Sequence, residues 1–511
     1  MKYPLFFFIS VVLAGCGAQP PTPVESQTVQ IKGPTGAFLD STLTPYVQQL
    51  LKLTDNPSGL AIGITKGEDI VYARTFGYAN VEKKIPADFH SVFHIASVSK
   101  PFTAVAVAKL VQEKKLRLED RIVDYIPEFE MKGTGYEKIT IQHILTHTSG
   151  IPRHVSSDDW LNPIEGPKAL EENLQNVRDF ELEFEPGTKF NYSNSAFDIL
   201  GIVIARVSGV PFTTYIEDHI LAAAGMQSSV YRKPKDLPSN WAVPYSYGLE
   251  TQEWAPYPYT GKYAPSSGLQ STLLDMCRWG LIHLGKGRYQ EHQVLDETHF
   301  DLLVSPHYDT PWGDKIGLSW FLQSYLDRPN IMHLGNDTGF ETNLYIYPED
   351  TISIVVMANR DFSRVGRISL AAAELLFGED PKSYTLSARY KFTEAFKSTG
   401  MESAKKVWET LRQDTTDIYY VEDDDILTAG AVLENAGKWR QTKEVLEYYT
   451  RLNDQSTYAW RLLGNAAAGL GDTLGAMAHY EQALKINPNY ERAKTAIAKL
   501  SKAKDKRPMD E

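Results

Sequence analysis

Short apolar runs of strand character lie toward the two ends of the first four hundred residues, and longer apolar runs lie between them. Gly59 to Thr65 and Ile70 to Gly77 are β-rich segments separated by Lys66-Gly67-Glu68-Asp69, a pattern that predicts a hairpin. Asn343 to Tyr347 and Ile352 to Met357 flank the turn residues Pro348-Glu349-Asp350 and predict a second hairpin. Between the pairs, Phe102 to Val111 and Phe197 to Val207 are apolar on nearly every face, which predicts buried helices. Strands at both ends with helices and long loops inserted between them predict an α+β fold, its sheet formed by both ends of the domain.

From about residue 386 the strand pattern stops and a helix-rich tail begins. Trp460, Leu463, Gly464, Ala476, Tyr480, Ala483 and Pro488 fall at the spacing of a tetratricopeptide unit, whose period is about 34 residues, although Ala467 stands where that family usually has Tyr. One period earlier, Gly430, Gly437 and Leu446 form a degenerate copy, and residues 387–412 predict a further helix pair with Gly400 at its turn. The expected division is a leader at 1–16, a solvated tether at 17–35 rich in Pro, Gln, Thr and Ser, the α+β domain at 36–380, and an all-α repeat domain at 386–511.

Composition adds limits. A 511-residue chain with 42% hydrophobic and 23% charged residues can bury a sizeable core, and its net charge of -12 argues against nucleic acid as the main partner. Lys2 followed by the apolar run Leu5 to Ala14 reads as a signal-peptide core, too short to span a membrane. The run ends in Leu13-Ala14-Gly15-Cys16, which resembles a bacterial lipobox and implies lipidation of Cys16 and anchoring to a membrane. A plain secretory signal is the alternative. By the same resemblance, Gly17 in place of Asp implies the outer membrane of a two-membrane host. With two cysteines in the chain, acylation of Cys16 would leave Cys277 without a disulfide partner.

Ser-x-x-Lys occurs at Ser97/Lys100, Ser403/Lys406 and Ser501/Lys504, and context separates the first. Pro101 suits the first turn of a helix, and the apolar run that follows predicts burial. Residues three apart share a helix face, so Lys100 would lie beside Ser97, made a usable base by desolvation. The bland alternative, a serine cap and a surface lysine, fits this segment equally well. Farther on, Glu185-Pro186-Gly187-Thr188 predicts a turn, Tyr192-Ser193-Asn194 precedes the second apolar helix, and His333-Leu334-Gly335 lies beside the C-terminal strands.

The order Ser-x-x-Lys, Tyr-x-Asn, His-x-Gly, together with Leu145-Thr146-His147-Thr148-Ser149-Gly150, resembles the serine β-lactamase and penicillin-binding superfamily over roughly residues 40–375. It is most similar to the class C-related branch of β-lactamases, D-alanyl carboxypeptidases, D-aminopeptidases and esterases. The resemblance implies that Ser97 attacks an acyl carbonyl, that Lys100 and Tyr192 share the proton traffic with Tyr192 as base, and that Asn194 binds substrate or orients Lys100. It also implies an oxyanion hole from the backbone N–H of Ser97 and one just past the third motif on an edge strand, Asn336, with His333 and Gly335 in the substrate site. Where β-lactamases carry Lys-Thr-Gly, this chain has His333 and Leu334, which favours an ester or D-amino-acid amide over a β-lactam. No cofactor is implied. The pairs His90/His94 and His143/His147 lack a third metal ligand at a telling distance, and Glu422 to Asp425 lacks the alternation of a calcium loop. Residues 234–265, rich in Pro, Trp and Tyr, are a candidate cleft wall. The alternative to an enzyme is a penicillin-binding-like receptor or scaffold whose repeat tail recruits a protein partner.

Overall fold

The computed structural model describes residues 28–504 apart from 155–162, 167, 233–236, 248–249, 255–256 and 415–418, so the expected leader and Cys16 lie outside the described residues. The sheet strands in chain order are β1 (Val29–Ile31), β2 (Leu60–Lys66), β3 (Asp69–Phe76), β4 (Tyr308–Asp309), β5 (Lys315–Ile316), β6 (Phe321–Tyr325), β7 (Arg328–Asp337), β8 (Phe340–Tyr347) and β9 (Ile352–Ala358). They form one antiparallel sheet in the order β1-β3-β2-β9-β8-β7-β6-β5-β4. Both predicted hairpins are present, and β9 pairs with β2 from Ala358↔Leu60 to Ile352↔Lys66, which joins the two ends of the domain in mid-sheet. Every residue of β8 and β9 is buried, because the sheet is covered on both faces.

One face carries α1 (Gly33–Leu53), together with the helix Val365–Leu376 that follows β9. The other carries α2 (Ser99–Gln112), α3 (Asn194–Ser208) and α4 (Leu273–Leu284), which with the surrounding loops enclose the larger core. The two apolar runs of the sequence are α2 and α3, and the Phe102 ring stacks on Trp279 of α4 at 4.0 Å. Small residues set the fit of α4 on the sheet: a Cβ at Gly63 would come within 2.3 Å of the Cys277 sulfur. Cys277 is a buried packing residue whose thiol is pushed up to about 12 by burial.

β7 pairs with β6 only from Arg328 to Met332, so His333–Asp337 runs on with β8 alone on one side. The expected edge strand is therefore an edge for its last five residues and internal before them.

The helix Val365–Leu376 is numbered α5. The tail then comprises α6 (Arg389–Thr399), α7 (Met401–Arg412), α8 (Asp424–Asn435), α9 (Trp439–Leu452), α10 (Thr457–Gly469), α11 (Thr473–Ile486) and α12 (Glu491–Lys504). Gly400, at φ +86°, makes the turn between α6 and α7. A Cβ at Gly464 would strike the Tyr480 ring at 2.3 Å, and one at Gly430 would strike Leu446 at the same distance, so the same contact recurs after one repeat. Gly464→Val is expected to cost the tail about 1–3 kcal/mol through overpacking; thermal unfolding should show a lower tail transition. Buried Arg389 joins the units, its guanidinium 3.6 Å from the centroid of Phe362, with Tyr390 against Tyr247 at 5.0 Å.

Candidate active site

Ser97 sits on a short 3-10 turn, Ala96–Val98, and α2 begins two residues later at Ser99. The serine thus stands just ahead of the helix rather than in its first turn. Ala96 has φ +49°, a conformation that is costly without glycine and that persists where surrounding contacts enforce it. Ser99 supplies two such contacts: its hydroxyl donates to the Ala96 carbonyl at 2.7 Å and accepts from the Leu269 N–H at 3.0 Å. Thr103 adds a bond to the Pro265 carbonyl at 2.8 Å. Pro265, at the end of the 234–265 segment, thus braces α2, and Leu269 just beyond it braces the Ser97 turn, while the Trp241, Tyr257 and Tyr259 side chains are buried.

Lys100 is fully buried and donates to Ser97 Oγ at 3.1 Å and to the Ser266 carbonyl at 2.7 Å. Its ammonium lies 4.8 Å from the centroid of the Tyr192 ring. Burial pushes the Lys100 amine down to about 7, against the opposing pull of Asp198 and Asp337. Asp198, buried one turn into α3, is pushed the other way by the same desolvation, and Ser266 hydrogen-bonds it. Loss of solvent also raises the Tyr192 phenol, with a hydrogen bond from Ser97 working against the rise. The resting site thus holds an amine close to neutrality beside a phenol that keeps its proton.

Tyr192 is positioned by His147, whose buried ring stacks beneath it at 4.2 Å. His147 Nδ1 accepts the Ser193 N–H at 3.1 Å, so its proton is on Nε2; burial holds it neutral. His143 Nδ1 accepts the Thr140 N–H as a helix cap, and the two imidazoles serve local structure. Asn194 opens α3, its N–H donating to the Arg153 carbonyl at 3.1 Å, and its buried Oδ1 has no described partner. The structure brings Ser97, Lys100 and Tyr192 together and gives the direct orienting bond on Lys100 to the Ser266 carbonyl rather than to Asn194.

His333 is buried, and desolvation with the Lys100 charge pushes it down to about 3. Its Nδ1–H donates to the Leu334 carbonyl at 2.9 Å, and Nε2 is a buried acceptor with no described partner. At neutral pH it offers a lone pair rather than a positive charge, so His333 does not fill the anion-holding role that a lysine would. Gly335 is where β7 meets the Ser97 turn: a Cβ there would lie 2.2 Å from the Ile95 carbonyl oxygen. Gly335→Ala should displace the strand, lowering the melting temperature and reducing kcat/KM by about 10²-fold, the usual result of misplacing a reacting group by an ångström. Asn336 is exposed and pairs with Glu341 on β8.

Three neighbours escape a reading based on motifs: Asp198, Arg153 and Asp337. Asp198 left a signal, a carboxylate inside an otherwise apolar helix. Arg153 follows the Gly150-Ile151-Pro152 turn, and its guanidinium lies 5.1 Å from the Tyr192 centroid. Asp337 ends β7, and His94 Nε2 lies 2.8 Å from its Oδ2. The His90/His94 pair does not converge; His94 is committed to Asp337 and, through Nδ1, to Gln270.

Residues 43–379, more than half of the chain, match the β-lactamase family, and residues 457–490 match a tetratricopeptide repeat. The chain therefore belongs to the β-lactamase and penicillin-binding-protein superfamily, a serine-hydrolase-related fold, with a tetratricopeptide-like region after it. Protein flp of Staphylococcus aureus strain MW2 is 28% identical over 312 residues, 61% of each chain, so this chain spans about three fifths of that relative's length. Penicillin-binding protein 4* of Bacillus subtilis strain 168 is 26% identical over 331 residues, 61% of this chain and 71% of that one. Two solved structures are similar. The octameric penicillin-binding protein homologue from Pyrococcus abyssi has a TM-score of 0.58 at 27% identity, covering 66% of this chain and 77% of that one. A penicillin-binding protein from Bacillus halodurans has a TM-score of 0.54 at 28% identity, covering 65% and 99%.

Proposed function

We propose that the chain is a serine hydrolase that forms an acyl-enzyme on Ser97, acting on an ester or D-amino-acid amide in preference to a β-lactam. The observation that carries this reading is a fully buried Lys100, held near neutrality, with Nζ 3.1 Å from Ser97 Oγ. A surface lysine beside a capping serine has no need of such burial, and a receptor has no use for the arrangement. The same electrostatics favour Lys100 over Tyr192 as the resting base. Neutral Lys100 takes the Ser97 proton as Oγ bonds to the carbonyl carbon, and the backbone N–H groups of Ser97 and Asn336 receive the oxyanion. Tyr192 gives its proton to the departing nitrogen or oxygen and regains one from Lys100. Water then attacks the ester on Ser97 by the same route in reverse, releasing the acid. With His333 neutral, β7 offers a substrate carboxylate no positive charge, which is the ground for ranking lactams last, and the Arg153 guanidinium over Tyr192 is the cation nearest that side.

The test is mass spectrometry after incubation with a fluorophosphonate, a penicillin and a chromogenic ester. Label on Ser97 with turnover of the ester is the expected result. No label from any of the three, with no turnover, overturns the proposal.

The tetratricopeptide-like tail supports a second role, docking a protein partner to the hydrolase, tested by pull-down with the full chain against one lacking residues 424–511. The Cys16 motif supports export and lipid anchoring, with the outer membrane of a two-membrane host as the proposed site. Incorporation of labelled palmitate that is lost in Cys16→Ser is expected, and incorporation unaffected by that change would refute it.

A further inference from the structure

The strand that borders the nucleophile ends in a carboxylate that the proposed acyl transfer does not use. Along β7, His333, Gly335 and Asp337 alternate onto one face, the face that Gly335 packs against the nucleophile turn. Asp337 is fixed there by a chain of buried groups. Tyr257 donates its hydroxyl to Gln270 Oε1 at 2.7 Å, so the Gln270 amide nitrogen faces His94 Nδ1, at 2.9 Å. An amide nitrogen only donates, which leaves the His94 proton on Nε2, directed at Asp337 Oδ2 at 2.8 Å. Tyr257, Gln270 and His94 are all buried, whereas the Asp337 side chain keeps 22% of its surface. Among the described residues Oδ1 accepts no hydrogen bond, and no lysine or arginine pairs with the carboxylate. Three buried side chains thus hold in place one partly open anion without neutralising it.

Its position says which part of a substrate it would meet. The departing group must leave beside Lys100 and Tyr192, which return its proton; His333 and Asp337 both interact with the Lys100 charge, so what separates them is their place along the strand. Asp337 lies four residues farther along the strand, about 13 Å at the rise of an extended chain, beyond the Asn336 N–H. In the proposed reaction the oxyanion sits at the Asn336 N–H, so the acyl portion begins one residue from Asp337 and, running away from the leaving group, would extend toward it. Arg153, over the Tyr192 ring, forms no ion pair with Asp337 among the described residues.

We infer that Asp337, oriented by His94, is a specificity-determining residue that selects substrates carrying a positive charge, such as an ammonium, on the acyl portion and rejects those carrying a carboxylate there. This rests on the acyl-enzyme reading above. An unneutralised carboxylate facing a cleft raises the affinity of a cation and lowers that of an anion, giving selection by attraction and repulsion together.

The experiment compares rates of Ser97 labelling by fluorophosphonates bearing butyl, 4-(trimethylammonio)butyl and 4-carboxybutyl chains, fluoride leaving in each case. The cationic probe should label about 10-fold faster than the neutral one and the carboxylate probe about 10-fold slower, with both ratios shrinking as salt rises. Asp337→Asn should bring the three rates within about 3-fold of one another. Equal rates in the natural protein, or ratios unchanged by Asp337→Asn, overturn the inference. The salt series on the natural protein decides it even where the variant fails to fold. Failure of the acyl-enzyme reading looks different: no probe labels Ser97 at all.

Discussion

Ser97→Ala is expected to abolish fluorophosphonate labelling and to lower kcat/KM for the best ester by at least about 10³-fold, while the melting temperature moves little. The size follows from losing the covalent intermediate, because what survives the removal of a nucleophile is only binding and oxyanion stabilisation. The small effect on stability follows from place. Ser97 is half-buried on a turn held by Ser99, whose two bonds do not involve the nucleophile's oxygen. Steady-state kinetics beside a thermal melt checks both halves. A variant that retained a tenth of the activity would move the nucleophile elsewhere.

Lys100→Met should remove activity about as completely and, unlike Ser97→Ala, raise stability. An amine whose folded pKa is lowered from 10.5 to about 7 opposes protonation in the folded state. The unfolded chain binds that proton readily, so folding is penalised wherever pH lies below the unfolded value, and fully so below about 7. A methionine of similar length escapes the penalty. The gain in melting temperature should be largest at acid and neutral pH and should fade as pH climbs toward 10.5. The same shift sets the activity profile: kcat/KM should rise with pH through about 7 as Lys100 loses its proton. A profile set by Tyr192 would instead climb far into the alkaline range, since burial raises that phenol.

Much of the fold was legible because its signals are local. Short β-rich runs on either side of Lys66-Gly67 and Pro348-Glu349 marked the two hairpins, and the tail declared itself by spacing, with Gly464 against Tyr480 repeating Gly430 against Leu446. The helices α2 and α3 were visible as apolar segments. What stayed hidden depends on contacts distant in sequence. The orienting bond on Lys100 comes from the Ser266 backbone carbonyl, and a carbonyl leaves no mark in residue type. Asp198 was visible as a carboxylate in an apolar helix, but its role becomes apparent only once α3 is seen to face Lys100. The break between the Ala96–Val98 turn and α2 reflects tertiary constraint on Ala96, which no propensity announces. His333 was readable as a departure from lysine; its depth of burial, which fixes its charge, was not.

The five residues of β7 that β6 leaves unpaired have a mechanical meaning for recognition. His333–Asp337 presents one free side of a ladder whose other side is fixed by β8. An extended chain laid along it would become a temporary tenth strand, held through its backbone and so in one register. Selection of a substrate would then begin with whether its main chain can lie straight for a few residues, a criterion of shape that tolerates many side chains and leaves the charge at the end of the strand to choose among them.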